Sequence, residues 1–391
     1  MKPKVFYVDR RVRSRYSMLS KLEILFKRKG FHDRIKKGDK VCVKTHFGTF
    51  GNTNYLRPVF ARKLVDLIKD KNAYPVVAET CGLGYGLSGV YGGRATSAEY
   101  LKMASAHGYT QESLGAPIVM LDGYFGTDVF YVDVNGEYIK KVAVSMALRD
   151  FDHVIVFSHF KGHAIGGIGG ALKNVGIGCV GKYSKAMMHT EGNLEVDSEK
   201  CVGMKCRACQ DVCPVRCIEI DEIAKMDMKK CILCLHCSSV CRAKGFKAIT
   251  IDWSPLDEQV KKLTENALGV LDGVGREKFI YLNLALDISE ACDCVSYGPP
   301  VMVPDLGIFL SKDPVAIDQA CLDLATEKSG IPNSASEGLK RGQDKFAWAN
   351  ARMDEKTGER ILSKTHLQQL EHAERIGLGR RDYELVKVDE T

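Results

Sequence analysis

The 391-residue chain has no run near the roughly 18 consecutive apolar residues that a membrane-spanning helix requires, so no membrane span is expected. Its first stretch, "MKPKVFYVDRRVRSRYSMLS", sets charges on both sides of a very short apolar run and lacks the apolar core of a secretory signal. The expectation is a cytoplasmic protein, whose clustered cysteines are metal ligands or redox groups rather than structural disulfides. The P-loop lysine pattern is missing, and "GLGYG" from Gly82 to Gly86 lacks the rest of a dinucleotide fingerprint. No flavin site can be read. No nucleic-acid-binding motif accompanies the basic residues, so nucleic acid is not an expected partner.

Cysteine is what the chain has in excess: 15 of them, in an otherwise ordinary globular composition of 45% hydrophobic and 27% charged residues. At roughly 100 to 200 residues per domain, the length allows two or three domains. The net charge of +7 is local, since residues 1–50 carry 15 Lys or Arg against 4 Asp or Glu. "RRVRSRY" and "KRK" either steer an anionic substrate or an acidic redox partner, or simply form a solvated surface.

Short β-branched runs alternate with helical patterns through the first half. "KVFYVD", "KVCVKTHF", "YPVVAET", "APIVMLDG" and "HVIVFSHF" predict buried strands, with helices at "MLSKLEILFKRKG", "RPVFARKLVDLIKDK" and "TSAEYLKMASAHG". That alternation implies an α/β fold with a mostly parallel sheet and flanking helices. "VFYVDVNGEYIKKVAV" predicts a hairpin turning at Asn135-Gly136. From about Leu194 the pattern breaks into cysteine-dense loops, and it resumes after Trp253 with a helix capped by Ser254. "KFIYLNLALDI" and "VMVPDLGIFLS" predict strands and "DPVAIDQACLDLATEKSG" a helix; the tail predicts a polar helix and a short strand, "YELVKV". The expected organisation is an α/β domain in two parts, 1–192 and 253–391, interrupted by a ferredoxin-like α+β insert at 193–252.

Within the insert, Cys231, Cys234, Cys237 and Cys241 form C-x2-C-x2-C-x3-C, the bacterial ferredoxin run. Cys201, Cys206, Cys209 and Cys213 form C-x4-C-x2-C-x3-C, followed by Pro214. In the crossed ferredoxin pattern Cys201, Cys206, Cys209 and Cys241 hold one 4Fe-4S cluster, and Cys213, Cys231, Cys234 and Cys237 the other. The x4 spacing leaves Cys217 as an alternative to Cys201, and Arg242 stands where a second Pro would be usual. "CIEI" and "AITI" look like the short paired strands of such a fold. Two C-x2-C pairs also suit zinc, but zinc needs only four ligands, and two runs of four point to iron and sulfur. Cys42, Cys81, Cys179 and Cys321 read as small core residues. In "ACDCVSYGPP", Cys292 and Cys294 offer a third metal or redox site.

The stretch "SHFKGHAIGGIGGALKNVGIG" precedes the insert, and eight of the twenty residues from Gly162 to Gly181 are glycine. Gly166, Gly167, Gly169 and Gly170 would let backbone N–H groups form an anion nest, reinforced if "GALKNVG" opens a helix. Lys173 would bring a charge or an attachment amine, and His159 and His163 acid–base groups or metal ligands. Lys44, His46 and Arg57 would join them at the carboxyl ends of parallel strands. The alternative is a loop whose glycines only permit close packing.

These motifs, with "KTHFGTFGNTNYLRPVF" and "DLGIFLSKDPVAIDQA", resemble the iron–sulfur proteins gathered as domain-of-unknown-function family 362, over nearly the whole chain. The resemblance implies a ferredoxin insert in an α/β domain. More distantly, "NTNYLRPVFARKLVDLI" is similar to the Arg-Pro substrate loop of nickel-pincer lactate racemases. That likeness implies a catalytic role for His163, attachment of a nickel-pincer nucleotide at Lys173 and nickel ligation by His189. Gly93-Arg94 occupies the place of the racemases' second catalytic His, and those enzymes have no ferredoxin insert. The leading expectation is an oxygen-sensitive iron–sulfur oxidoreductase. It would take electrons from a redox partner protein through two 4Fe-4S clusters to an anionic small molecule or nucleotide-type cofactor, with His163 as proton donor. The alternatives are an electron carrier without its own chemistry and a nickel-pincer isomerase or hydride-transfer enzyme.

Overall fold

In a sheet covered by helices on both sides, a strand buries both its faces and alternate residues enter different cores. Val154 and Val156 enter one apolar core, Ile155 and Phe157 the other, and the same division runs through Val41 to Val43 and Phe279 to Leu282. The computed structural model describes residues 2–28, 30–83, 93–355 and 357–388. Lys29 of "KRK" and Gly84 to Gly86 of "GLGYG" lie outside the described residues.

Eight strands form the central sheet: β1 Lys4–Asp9, β2 Lys40–Lys44, β3 Tyr74–Glu79, β4 Ile118–Met120, β5 His153–His159, β6 Phe279–Ala285, β7 Gly307–Ser311 and β8 Glu384–Lys387. Their order is β8-β1-β7-β6-β5-β2-β3-β4. Only β7 runs antiparallel to its neighbours. The α/β fold with a mostly parallel sheet is therefore present. The helices Met18–Arg28, Pro58–Lys69, Ser97–Ala106, Leu256–Val274, Pro314–Thr326 and Thr365–Arg375 match the predicted ones. Asp313 caps Pro314–Thr326 by accepting the N–H groups of Val315 and Ala316.

Three local expectations are corrected. The hairpin Val129–Asp133 with Lys141–Ser145 forms, but it does not turn tightly at Asn135-Gly136. The buried carboxylate of Glu265 draws out a longer loop by accepting the N–H groups of Glu137 and Ile139 at 2.6 and 2.7 Å, and that of Tyr138 at 3.1 Å. Ser254 does not cap the following helix, whose N-cap is Pro255, because its hydroxyl bonds Glu191 and accepts from Lys262 at 2.6 Å. Of "VMVPDLGIFLS", only Gly307–Ser311 is strand.

Between β5 and β6 the chain leaves the sheet. Thr190–Val196 pairs antiparallel with Ile249–Trp253, which returns the chain close to where it left. "CIEI" and "AITI" both contribute strands, but to separate ladders, because Ile218–Ile220 pairs with Ala224–Met226. The helices Ala208–Asp211 and His236–Ala243 complete this segment, around a small core of its own.

Candidate functional site

A cavity of about 640 Å³ opens at the carboxyl ends of β2, β5 and β6, where ligands gather in open α/β sheets. His46 follows β2, His159 ends β5, and the loop after β6 brings Cys292, Asp293 and Cys294. The ladder Lys161–His163 with Gly167–Gly169 and the helices Ala171–Gly176 and Lys182–His189 supply Lys161, His163, Lys173, Lys185 and His189.

The cysteine loop is pinned through Asp293. This carboxylate is buried, accepts Nδ1 of His159 at 2.9 Å and pairs with Nζ of Lys161 at 2.8 Å. Burial alone would raise its pKa, but the charges of His159 and Lys161 outweigh that and hold it well below the usual carboxylate range. His159 also donates from Nε2 to the Leu286 carbonyl at 2.7 Å, so both ring nitrogens are committed as donors. Asn52 donates to the carbonyls of Val295 and Tyr297, and Arg94 to that of Cys294 at 3.2 Å. Gly162 permits the loop's approach, since a Cβ there would stand 2.2 Å from the Glu290 carbonyl oxygen. Cys292 and Cys294 are joined as a disulfide, and Nζ of Lys173 lies 3.8 and 3.9 Å from their sulfurs.

His163 and His189 enter the same cavity in opposite tautomers. The N–H groups of Ile165 and Gly166 point at Nδ1 of His163, at 3.2 and 2.9 Å, so Nε2 carries the hydrogen. Nδ1 of His189 faces the Gln259 amide oxygen at 3.0 Å, while the Gln259 amide nitrogen donates to the Ser254 carbonyl. His189 therefore holds its hydrogen on Nδ1 and presents a lone pair at Nε2. Burial lowers both pKa values, helped at His163 by the nearby cations, so both rings are neutral at pH 7. Burial, then Lys161, lowers Lys173 to about 7. One imidazole can donate a proton and the other accept one, beside an amine poised between its charge states.

Several expected groups lie elsewhere. The helix Ala171–Gly176 does not present a free anion nest, because the carboxylate of Asp318 accepts the N–H groups of Ala171 and Leu172 at 2.8 and 2.9 Å. Gly170 makes room for that carboxylate. Gly169 and Gly170 line the cavity, whereas Gly166 and Gly167 pack against Gln369 and His366. Lys44 lies behind the cavity wall, paired with Glu79 at 2.6 Å and donating to Asn174 at 2.8 Å. Arg57, at the start of Pro58–Lys69, does not line the cavity and pairs with Asp287. Arg94 takes the position expected of Arg57: it lines the cavity, donates to Nε2 of His46 at 3.0 Å, and keeps a buried Nε with no partner among the described residues. Arg94 was visible in the sequence only as the residue standing where the racemases have a histidine.

In the cysteine segment, the buried thiol of Cys209 is pushed up to about 11 by burial, with Cys201 and Cys241 adding to the shift. Burial raises Cys234 as well, with contributions from Cys231 and Cys213. Cys237 is close enough to feel Cys234 and Cys231, and Cys217 lies 3.5 Å from Cys213. Backbone N–H groups of Ala224, Leu233 and Ala248 donate to the sulfurs of Cys201, Cys231 and Cys241. Cys206 is half-buried. Among the described residues, only His163, Cys292 and Cys294 bring three candidate ligand atoms within 4.8 Å of one another, the spacing of a single ion.

A family model described as Domain of unknown function (DUF362) matches residues 41–323. A 59-residue stretch is 46% identical to an uncharacterized protein of Methanocaldococcus jannaschii, covering 15% of this chain and 22% of that protein. The match thus spans under a quarter of that relative's length. A crystal structure of a protein from Thermotoga maritima aligns with 79% of this chain and 59% of its own, at a TM-score of 0.40 and 12% identity. The lactate racemase apoprotein from Thermoanaerobacterium thermosaccharolyticum aligns with 76% of this chain and 53% of its own, at 0.35 and 9%.

Proposed function

The chain belongs to the domain-of-unknown-function family 362, and from that premise we propose that it is an iron–sulfur oxidoreductase acting on an anionic small molecule in the cavity. The observation that carries this reading is a shared wall. Helix Lys182–His189 turns Lys185, Met188 and His189 to the cavity, while Ala186 packs against Leu233 and Leu235 of the second cysteine run. On the same helix Lys182 meets His236, beside Cys237, at 3.0 Å. One helix, roughly 10 Å across, separates the two places.

The cysteine segment suits the clusters. Leu233 and Leu235, set among Cys231, Cys234 and Cys237, hold φ values of 49° and 61°. That left-handed backbone strains a leucine, and such strain clusters at ligand clamps and active sites. In this reading residues 193–252 are a ferredoxin-like unit between 1–192 and 253–391. Cys201, Cys206, Cys209 and Cys241 hold one 4Fe-4S cluster, and Cys213, Cys231, Cys234 and Cys237 the other. When bound, the clusters supply electrons one at a time from a redox partner protein, in the cytoplasm. In the cavity, Arg94 binds the anion, His163 delivers a proton from Nε2, His189 accepts one, and Asp293 fixes the cysteine loop.

Protein purified without oxygen should carry about eight iron and eight sulfide per chain. Zinc with little iron would overturn the reading. A His163→Gln variant with full iron that still passes electrons normally to every acceptor would make the chain a carrier instead. A second reading is favoured by the convergence of Lys173, His163 and His189 in one cavity: a nickel-pincer isomerase or hydride-transfer enzyme, with the cofactor attached at Lys173 and nickel held by Nε2 of His189. Stoichiometric nickel and a mass adduct on Lys173 would establish it.

A further inference from the structure

Two features of the cavity have no part in that proton chemistry: the joined sulfurs of Cys292 and Cys294, and the Lys173 amine beside both. The bridge spans a single intervening residue. So short a closure takes very little entropy from the unfolded chain, so the bond adds little stability. Nor does the loop need a staple, because Asn52, Arg94 and the ion pairs of Asp293 already hold it. A disulfide of small structural value, beside a buried amine and inside a cavity, is placed to react.

We propose that Cys292–Cys294 is a two-electron relay, cycling between disulfide and dithiol, with Lys173 as the cation that holds the thiolate. This rests on the oxidoreductase reading, and it supplies what that reading lacks without a flavin: a group that collects single electrons and releases them as a pair. The reductant is a one-electron iron–sulfur donor. In the forward step the S–S bond breaks as two electrons arrive in turn. Of the two protons taken up, one goes to a sulfur and one to the Lys173 amine, which then pairs with the remaining thiolate. In the return step the S–S bond re-forms, and two electrons and two protons pass to the oxidised substrate. Cys292 is buried and Cys294 is partly exposed, so Cys294 is the sulfur that a cavity ligand reaches first.

The test is a dithionite titration of protein purified without oxygen, followed by iodoacetamide labelling and peptide mass mapping. Wild type should take up two electrons per chain more than Cys294→Ser at equal iron content. In wild type, Cys292 and Cys294 should pass from unlabelled to labelled on reduction. Lys173→Met should slow labelling of the reduced pair at pH 7 by about tenfold or more, and Lys173→Arg should restore most of it. Equal electron uptake, labelling before reduction, or loss of one metal ion per chain in Cys294→Ser would each overturn the relay, the last by making the pair a metal site. A chain without iron would sink the oxidoreductase reading alone. Phosphine reduction of the same sample still decides the relay, by whether the pair becomes labelled and whether labelling depends on Lys173.

Discussion

The sheet and the cysteine segment hold themselves together in different ways. The sheet strands carry side chains into two large cores, and Asp293, Glu265 and Asp318 each reach across the chain to satisfy buried donors. From Thr190 to Trp253 the elements are short, and the core is nine buried residues, four of them cysteines. A core of that size does not pay for chain entropy by itself, as in small metal-dependent domains. In the proposed reading the cavity is thus built by a part that needs no metal, and its electron supply by a part that does.

The largest effect should come from removing that metal. Ligand bonds in small metal domains contribute on the order of 10 kcal/mol. After oxygen and chelator treatment, hydrogen exchange should show residues 190–253 losing amide protection while β2, β5 and β6 keep theirs. Loss of protection throughout the sheet in the same step would break the distinction between the regions.

Next in size is Asp293→Ala. It leaves His159 and Lys161 buried without their shared anion, a loss of roughly 3–5 kcal/mol for a broken buried pair. Urea unfolding followed in the sheet should show it at unchanged iron content, with Asp293→Asn less affected. A change below about 1 kcal/mol would mean that Asn52 and Arg94 hold the loop unaided.

Asp318→Asn should cost about 1–2 kcal/mol, because an amide cannot accept from Ala171, Leu172 and Asn283 together. Its pH dependence carries a sign. Burial raises Asp318 from 3.8 to about 6, so the folded state binds its proton more tightly than the unfolded state. That contribution is fully present below about pH 4 and is lost as the pH rises through 6. The gap between wild type and Asp318→Asn should therefore be widest near pH 4 and narrow toward pH 7. A gap that widens with pH would show the carboxylate to be stabilised as an anion.

The sheet was legible because its signals are local: "HVIVFSHF" and "KFIYLNLALDI" become β5 and β6, side by side and parallel. The cavity was legible in part for the same reason, as His163 and Lys173 lie ten residues apart on one glycine-rich stretch. Two of the misses share one cause. Glu265 reshapes a loop 126 to 128 residues away, and Asp318 fills the helix start 146 and 147 residues before it. A carboxylate that serves distant backbone donors looks, in sequence, like any surface acid.

The smallest effect tests the exchange of Arg57 for Arg94. The Arg57 side chain is 53% exposed and its partner Asp287 41%, and such surface pairs contribute between about 0 and 1 kcal/mol. Arg57→Ala should leave stability and the binding of small anions nearly unchanged, by thermal unfolding and calorimetry. Arg94→Ala should weaken anion binding clearly, because its guanidinium lines the cavity. The reverse result would move the substrate out of the cavity and onto the rim where Pro58–Lys69 begins. The proposed electron route would then fail, since electrons crossing Lys182–His189 would arrive where no substrate sits.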